Sequence, residues 1–375
     1  TRETRRLNES INESQSRIGN ATKLAKLLRT DQKNWQETSK KLNESAQYIE
    51  GDSFLCAALI TYFGPFPPSY RKELFDSIIR SVNSAEIKIT PNFTFVKVMT
   101  DPTEIQEWHN CGLPNDQTSI ENAIIMRDSP MAPLIIDNLG FANQFIKLLE
   151  KDHQIVVLRP TQNNFLKVIE SNMRLGIPVL LEHVTETFDP SLDNIIARRI
   201  ILQDGKRFMK INERLIEFDD KFKLYLTTKM AHPIYTPEMF SSATIINFYM
   251  SKSSLLQFEL SKIVDTDNPE LGQTSKTVMS NIIECKSSLK QIEDRFLDLI
   301  KNSGNQILDD EVLINTIETS SNKRKEIQGN LFRLDTENEK YSKERAKYEP
   351  LSERLAVIFF AITNLSKLNP LYHFS

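Results

Sequence analysis

Polar residues follow three runs of the sequence that are predicted to be buried strands. The first run ends in Asp137, a later one ends in Glu182, and another ends in Thr227 and Thr228. Seven residues form the loop behind the first run, and they are Asn138, Leu139, Gly140, Phe141, Ala142, Asn143 and Gln144. A loop, an acid and a threonine at neighbouring strand ends are the groups with which proteins bind nucleotide phosphates and Mg²⁺.

The loop lacks the composition that phosphate binding requires. A working phosphate loop reads GxxxxGK[ST], in which backbone N–H groups wrap the phosphates and the Lys and Ser/Thr reach phosphate and Mg²⁺. Here the loop has the single glycine Gly140 and no Lys followed by Ser or Thr. The pair Glu182-His183 stands where hydrolysis needs an Asp for Mg²⁺ and then a Glu for water. We predict no catalytic residue, cofactor or metal in this chain, with an unorthodox nucleotide site as the alternative.

The elements that carry these residues alternate between strand and helix. Short β-branched runs predict five core strands, at 133–137, 155–158, 178–182, 223–228 and 244–248. Helices are predicted between them at 141–149 and 163–174, and a hairpin is predicted over 200–211. Apolar strands that alternate with helices indicate a parallel sheet covered on both faces. The sequence therefore predicts an α/β fold with a P-loop-like parallel sheet.

The first 50 residues carry a regular heptad seam. Alternating steps of four and three residues give the apolar positions Leu7, Ile11, Ile18, Ala21, Ala25, Leu28, Trp35, Leu42, Ala46 and Ile49. Such a seam calls for a partner helix, because a single helix cannot bury its own apolar stripe. The chain begins without Met, so we expect a fragment whose partner strand lies in other sequence. An ordinary amphipathic helix on a globular core is the weaker alternative.

Two further heptad stretches in the last third predict a helical hairpin. Its apolar seam positions are Ile282, Leu289, Ile292, Phe296, Leu299, Ile327, Leu331 and Leu334. We expect the first helix to break at Gly304, the second to be capped by Asp309 and Asp310, and the second to end before Pro350. Two heptad helices joined by a short turn form an antiparallel coiled coil, predicted at about 274–347. A last amphipathic helix is predicted over 355–368.

Composition argues against several classes of protein. The 47 Lys and Arg nearly balance the 50 Asp and Glu, so no charged surface for nucleic acid or an anionic membrane is expected. The 3 cysteines are widely spaced, which fits a reducing compartment such as the cytosol. No apolar run is long enough to span a membrane. The histidines lack zinc-site spacing, and no GxSxG motif is present.

A series of short motifs resembles one protein family. In chain order the motifs are Gly51-Asp52-Ser53-Phe54-Leu55-Cys56-Ala57-Ala58, Tyr62-Phe63-Gly64-Pro65-Phe66, Tyr70-Arg71, Gly112-Leu113-Pro114-Asn115-Asp116, Ser119-Ile120-Glu121-Asn122-Ala123-Ile124, Pro133-Leu134-Ile135-Ile136-Asp137, Ile307-Leu308-Asp309-Asp310 and Tyr348-Glu349-Pro350-Leu351. Behind a long heptad strand, this order resembles dynein heavy chains. The matching part is the returning stalk strand, the fifth AAA+ module and its strut. The resemblance covers essentially the whole chain.

The resemblance implies a division into three parts. Residues 1–50 would be the returning stalk strand, 51–255 the large α/β subdomain of the fifth AAA+ module, and 256–375 its small helical subdomain, interrupted by the strut. The parent would be a minus-end-directed microtubule motor that uses ATP and Mg²⁺ in other modules of its ring. The strut would convey ring rearrangements to the stalk, whose strands slide and so alter microtubule affinity at a tip that this chain does not contain.

The resemblance also implies partners and a location. The partners would be the other AAA+ modules of the ring, an antiparallel stalk strand from upstream sequence, and the microtubule through the tip. The location would be the cytoplasmic cytoskeleton, with an axonemal parent equally open. Family members commonly place an Arg before the last core strand where this chain has Ser242, which leaves an arginine-finger role toward the fourth module open. A static coiled-coil scaffold with an inactive AAA+ domain is the alternative function.

Overall fold

The computed structural model describes residues 2–230, 233–248, 252–303, 311–365, 368–369 and 372. Some side chains within its long helices also lie outside the description, among them Leu28 and Phe296 of the predicted seams. The predicted break at Gly304 and the predicted caps Asp309 and Asp310 lie outside the described residues as well. The chain divides into two units, one of Thr1–Gln47 with Glu270–Ala346 and one of Tyr48–Pro269 with Lys347–Ser375.

The described elements alternate as the sequence predicts in the middle of the chain and are helical at both ends. The helices are α1 (Arg2–Ala46), α2 (Ile49–Tyr62), α3 (Pro68–Ser84), α4 (Phe95–Met99), α5 (Pro102–Asn110), α6 (Gln117–Asp128), α7 (Phe141–Leu149), α8 (Phe165–Leu175), α9 (Asp193–Ile196), α10 (Pro237–Ser242), α11 (Lys252–Asp267), α12 (Pro269–Ser303), α13 (Glu311–Ala346) and α14 (Glu349–Leu365). The strands are β1 (Pro133–Ile136), β2 (Val156–Leu158), β3 (Val179–Glu182), β4 (Ile200–Gln203), β5 (Lys206–Ile211), β6 (Arg214–Glu217), β7 (Leu224–Thr228) and β8 (Thr244–Asn247).

The five predicted core strands form one parallel sheet in the order β2-β3-β7-β1-β8. Successive residues of a strand point to opposite faces, and both faces of this sheet are buried. Leu134 and Leu226 pack into the core on one face, whereas Ile135 and Tyr225 pack into the core on the other. This arrangement confirms the predicted α/β fold with a covered parallel sheet and is consistent with an AAA+ domain.

A second, antiparallel sheet has the order β4-β5-β6 and follows α9. The turn between β4 and β5 uses Asp204 and Gly205 at φ of 52° and 74°, as a tight hairpin requires. The predicted hairpin is therefore confirmed, but β6 was not predicted. Its turn places Asn212 and Glu213 at positive φ without a glycine, so the sequence carries no strong turn signal there.

Helix α6 is buried along almost its whole length and was not predicted by periodicity. Its residues from Ser119 to Met126 are all buried. A helix that is covered on every side has no polar face, so the amphipathic period that reveals surface helices is missing. At its start Asp116 accepts hydrogen bonds from the backbone N–H and hydroxyl of Ser119, at 3.1 and 2.7 Å. The hydroxyl of Ser254 in α11 donates to the same carboxylate at 2.7 Å, which ties α6 to α11.

A buried arginine attaches the turn after α2 to the sheet. The Arg71 side chain is 3% exposed and donates to Glu121 Oε2 at 3.1 Å, to Asn122 Oδ1 at 2.5 Å and to the Gly64 carbonyl at 3.3 Å. The same carbonyl accepts the backbone N–H of Asn247 in β8 at 2.8 Å. A buried charge is tolerated only when it is paired and hydrogen-bonded in this way. The turn is therefore fixed to both α6 and β8.

Helices α12 and α13 meet through buried side chains in the first unit. Val278 and Ile282 of α12 pack together with Leu334 of α13. Helix α1 contacts α13 in the same unit, while its seam residues Leu7 and Ile18 are 59% and 67% exposed. The expectation that one register continues to Ile49 is wrong, because α1 ends at Ala46 and Ile49 is the first residue of α2.

Helices α11 and α14 pack against each other in the second unit. Leu255 and Ala356 are buried between them, and the Ser352 hydroxyl donates to the Leu256 carbonyl at 2.7 Å. Helix α14 begins at Glu349 rather than at the predicted residue 355. Pro350, the second residue of α14, fits the first helical turn, because a backbone N–H there has no carbonyl partner within the helix. In the described part of the chain, no helix is both long and apolar enough to cross a membrane.

We expect Gly64→Ala to lower the free energy of unfolding by about 2 kcal/mol, the cost of forcing extra volume into a packed site. A Cβ atom at this position would lie 2.1 Å from the carbonyl oxygen of Ile245, which β8 cannot move without losing its pairing. Gly329→Ala in α13 is the control, since nothing lies within 4 Å of its added Cβ. Urea unfolding followed by circular dichroism measures both. Equal stability of the two variants would contradict this account of Gly64.

Candidate functional site

The sheet brings the predicted site residues together at the carboxyl ends of three neighbouring strands. Thr227 lies beside Glu182 in the register of β3 and β7, and Thr228 lies beside Ile136, the residue before Asp137. Asp137, Glu182, Thr227 and Thr228 are all buried. By contrast, three of the predicted loop residues are exposed and take no part in the buried cluster, namely Asn138, Leu139 and Gln144.

The Asp137 carboxylate occupies the hydrogen-bond donors of the loop. Its Oδ1 accepts from the backbone N–H of Gly140 at 2.9 Å and of Phe141 at 3.0 Å, and its Oδ2 accepts from the backbone N–H of Asn143 at 2.9 Å. Gly140, at φ +83°, turns the chain so that these groups point inward at the start of α7. Loop and helix N-terminal N–H groups of this kind bind phosphate in nucleotide sites. Here a carboxylate of the chain itself satisfies them.

Burial and hydrogen bonding act on the Asp137 carboxyl in opposite directions. Burial raises its pKa above the ordinary value of 3.8, since the side chain is 3% exposed and an ionised group loses its hydration there. The four backbone N–H groups from Gly140 to Asn143 oppose that rise, because they stabilise the ionised form. The net direction is upward, so burial is the larger of the two effects.

Asn143 links the loop to the two neighbouring strand ends. Its side-chain Nδ2 donates to Glu182 Oε1 at 3.0 Å, and its side-chain Oδ1 accepts a hydrogen bond from the Thr227 hydroxyl at 3.5 Å. Lys147, one turn along α7, pairs with Glu182 Oε1 at 2.6 Å, and Arg159 approaches Glu182 Oε2 at 3.9 Å. Burial alone would raise the pKa of Glu182, but Lys147 and Asn143 hold it below the ordinary value of 4.5. The polar groups of the cluster therefore satisfy one another.

A small cavity lies beside Phe141, the residue at the start of α7. The cavity that Phe141 shares with Phe145 and Phe248 has a volume of about 10 Å³, which is room for about one water molecule. The Phe141 ring packs edge-on against Phe258 of α11 at 4.2 Å between centroids. Within the described residues, no group of three His, Cys, Asp or Glu side chains is placed to hold a metal ion.

Two features of this unit were not predicted from the sequence. The first is the role of Asp137 as the acceptor for the loop; an Asp three residues before a helix-starting glycine was the available signal. The second is a buried acid at the far end of α7. Glu150 accepts from the Tyr225 hydroxyl at 2.6 Å and pairs with Lys223 at 2.8 Å. Glu150 and Lys223 are 73 residues apart, so local patterns could not reveal the pair.

The chain is similar to proteins of known family. Residues 106–327 match the family described as the ATP-binding dynein motor region. Human dynein axonemal heavy chain 6 is 34% identical over 362 residues, which is 96% of this chain and 9% of that protein. Mouse dynein axonemal heavy chain 2 is 31% identical over 97% of this chain and 8% of its own length. The flagellar inner arm I1 dynein-1-beta heavy chain of Chlamydomonas reinhardtii is 29% identical over 96% of this chain and 8% of its own length. This chain thus spans less than a tenth of these relatives.

We expect Glu182→Gln to lower the free energy of unfolding by about 1–2 kcal/mol at neutral pH, because a buried neutral amide pairs less well with Lys147. The folded-state pKa of Glu182 is depressed, so its contribution is present above 4.5 and is lost as pH falls through that depressed value. The difference between wild type and variant should therefore close in acid. Urea titrations from neutral to acidic pH test this, with the exposed Glu107→Gln as control. A difference in the free energy of unfolding between wild type and Glu182→Gln that stays constant with pH would contradict a stabilising role of ionised Glu182.

Proposed function

The chain belongs to the family of the ATP-binding dynein motor region, and from this premise we propose that it is a force-transmitting segment of a microtubule motor that does not itself hydrolyse ATP. The family membership also confirms the resemblance to a dynein heavy chain. The segment would be the fifth module of a ring together with the stalk strand before it and the strut inserted in it.

One observation carries the non-catalytic part of the proposal. The N–H groups that would hold a phosphate already bind the Asp137 carboxylate. A nucleotide would have to displace that acid and leave it buried beside its own negatively charged phosphates. The loop supplies no lysine to offset that repulsion, since Lys147 is engaged with Glu182. ATP and Mg²⁺ are accordingly expected in other modules of the parent chain.

The long helices support the mechanical part of the proposal. Helix α1 has 45 residues, and α12 and α13 have 35 and 36. At 1.5 Å per residue, these are rods of about 50–70 Å. We propose that α12 and α13 form the antiparallel coiled-coil strut, for which the buried Ile282 and Leu334 are the packed seam. The exposed apolar stripe of α1 suits a stalk partner helix from elsewhere in the parent.

The partners and location follow from the same proposal. The segment would contact other AAA+ modules of its ring and reach the microtubule only through a stalk tip outside this chain. The relatives are named as axonemal and flagellar dyneins, so we propose a microtubule-associated location and favour an axoneme for the parent. The alternative, a static coiled-coil scaffold, predicts no link between this segment and ATP turnover.

Isothermal titration of the wild-type chain with Mg-ATP should show no binding up to about 1 mM, because Asp137 already occupies the N–H groups that would bind phosphate. Asp137→Ala should lower the free energy of unfolding by about 3 kcal/mol, because three partly buried N–H groups lose a charged acceptor. It should also open an anion site. Sulfate at about 100 mM is then expected to stabilise the variant by about 1–2 kcal/mol more than the wild type.

Asp189→Ala is the matched control for this experiment. Asp189 also accepts a backbone N–H, that of Ser191 at 2.9 Å, but at an exposed site outside the loop. Sulfate should therefore affect this variant no more than the wild type. Micromolar Mg-ATP binding to the wild-type chain, or an Asp137→Ala variant that is indifferent to sulfate, would overturn the non-catalytic assignment.

The mechanical part is tested in the intact parent motor with Ile282→Asp. Ile282 is 1% exposed, so a charge there should separate α12 from α13. We expect basal ATP turnover to persist while its stimulation by microtubules falls about tenfold, the size of a typical coupling between distant sites. Glu293→Ala, at an exposed position of the same helix, should leave stimulation unchanged. Full stimulation in Ile282→Asp would favour the static scaffold.

A further inference from the structure

A larger cavity lies at the opposite end of the parallel sheet from the loop site. Pro133 and Leu224, the first residues of β1 and β7, line it, so it opens at the amino ends of the strands. Its volume is about 300 Å³, at the lower limit for pockets that hold small molecules. The proposed motor function assigns no role to it.

Four aromatic side chains contribute to the walls of this cavity, among aliphatic and charged residues. Trp108, Phe218, Phe222 and Tyr225 line it, and each of them is buried. Such side chains offer flat apolar surfaces against which a planar group can stack or pack edge-on. The walls therefore suit a ligand with a flat apolar body.

Most charged groups around the cavity are already paired. Arg127 binds Glu104 and Asp128, and its guanidinium also donates to the Met99 carbonyl at 2.7 Å. Lys223 pairs with Glu150 at 2.8 Å. Arg127 and Lys223 are therefore already neutralised by acids of the chain.

Three acids line the cavity: Glu104, which pairs with Arg127, the exposed Glu107, and the buried Glu150. Glu150 is 2% exposed and is held by Lys223, by the Tyr225 hydroxyl at 2.6 Å and by His153 Nδ1 at 2.9 Å. Burial would raise its pKa, but these donors bring it below the ordinary value of 4.5. The acid is therefore ionised and engaged at neutral pH.

Arg198 differs from these groups. It lines the same cavity, is half-buried, and donates a long hydrogen bond of 3.4 Å to the Phe222 carbonyl. Among the described residues, it makes no ion pair. Its backbone has φ +49°, a left-handed conformation that is costly for a residue with a side chain. A half-buried guanidinium without a counter-ion favours an anion supplied from outside.

We propose that this cavity binds a small ligand with a planar apolar body and one anionic group, and that Arg198 contacts the anion. The aromatic walls receive the body of the ligand. Glu150 already accepts hydrogen bonds from three donors and does not pair with Arg198. Arg198 is therefore the cation of the lining that is available to the ligand. The proposal is independent of the motor function, since it concerns the other end of the sheet.

The test uses two fluorescent probes that share a ring system and differ in charge. They are 8-anilinonaphthalene-1-sulfonate and the neutral N-phenyl-1-naphthylamine. The chain contains two tryptophans, so Trp35→Phe leaves Trp108 in the cavity wall as the sole donor for energy transfer to a bound probe. Saturable quenching of Trp108 then reports a probe bound in its neighbourhood, and the dependence of that binding on Arg198 assigns the probe to this cavity.

We expect the sulfonate probe to bind with one-to-one stoichiometry and about tenfold more tightly than the neutral probe. Arg198→Gln should remove that difference and leave the neutral probe unaffected. Arg198→Lys, which keeps the charge, should retain most of the difference. The comparison of the two probes on the Trp35→Phe chain needs no change at Arg198, so it stands even if the Gln variant is poorly folded.

Three results would overturn the proposal. Trp108 could remain unquenched by both probes, or both probes could bind equally well, which would refute the anion contact. Quenching that is present in this chain but lost in a longer piece of the parent would assign the cavity to a neighbouring protein segment instead of a small ligand.

Discussion

The hydrogen bonds of the Asp137 carboxylate to the loop N–H groups are the constraint on which the rest of the site depends. The start of α7 has unpaired backbone donors and the positive end of a helix dipole, so some acceptor must be supplied. In a nucleotide site the bound phosphate supplies it. Here the acceptor is part of the chain, so the loop N–H groups are satisfied without a ligand.

The hydrogen bonds of the loop to Asp137 also fix the positions of Asn143 and Phe141. Asn143 is fixed where it can bridge Glu182 and Thr227, and Phe141 is fixed where it can pack on Phe258 of α11. The carboxyl ends of β1, β3 and β7 are thereby tied to one another and to the α11–α14 pair without a ligand. Elements that are joined by satisfied buried networks are expected to move together, as the proposed force-transmitting role requires.

The sequence allowed prediction of those features that depend on local periodicity. The five core strands and α7 were located because β-branched apolar runs alternate with an amphipathic helix. Helix α6 and the turn at Glu213 were missed, because one has no polar face and the other adopts positive φ without glycine. The sequence shows that the loop has a single glycine and no Lys followed by Ser or Thr. What fills it could not be predicted, since that depends on the backbone geometry at Gly140.

Under the proposed function, the satisfied loop and the long helices would both serve the transmission of a displacement. A module that binds and releases nucleotide must let its loop and strand ends rearrange. The loop N–H groups of this module already bind its own Asp137, so under the proposed function the loop would not rearrange with a bound nucleotide. The proposed segment thus combines a loop that needs no ligand with two helices of 35 and 36 residues, each a rod of about 50 Å.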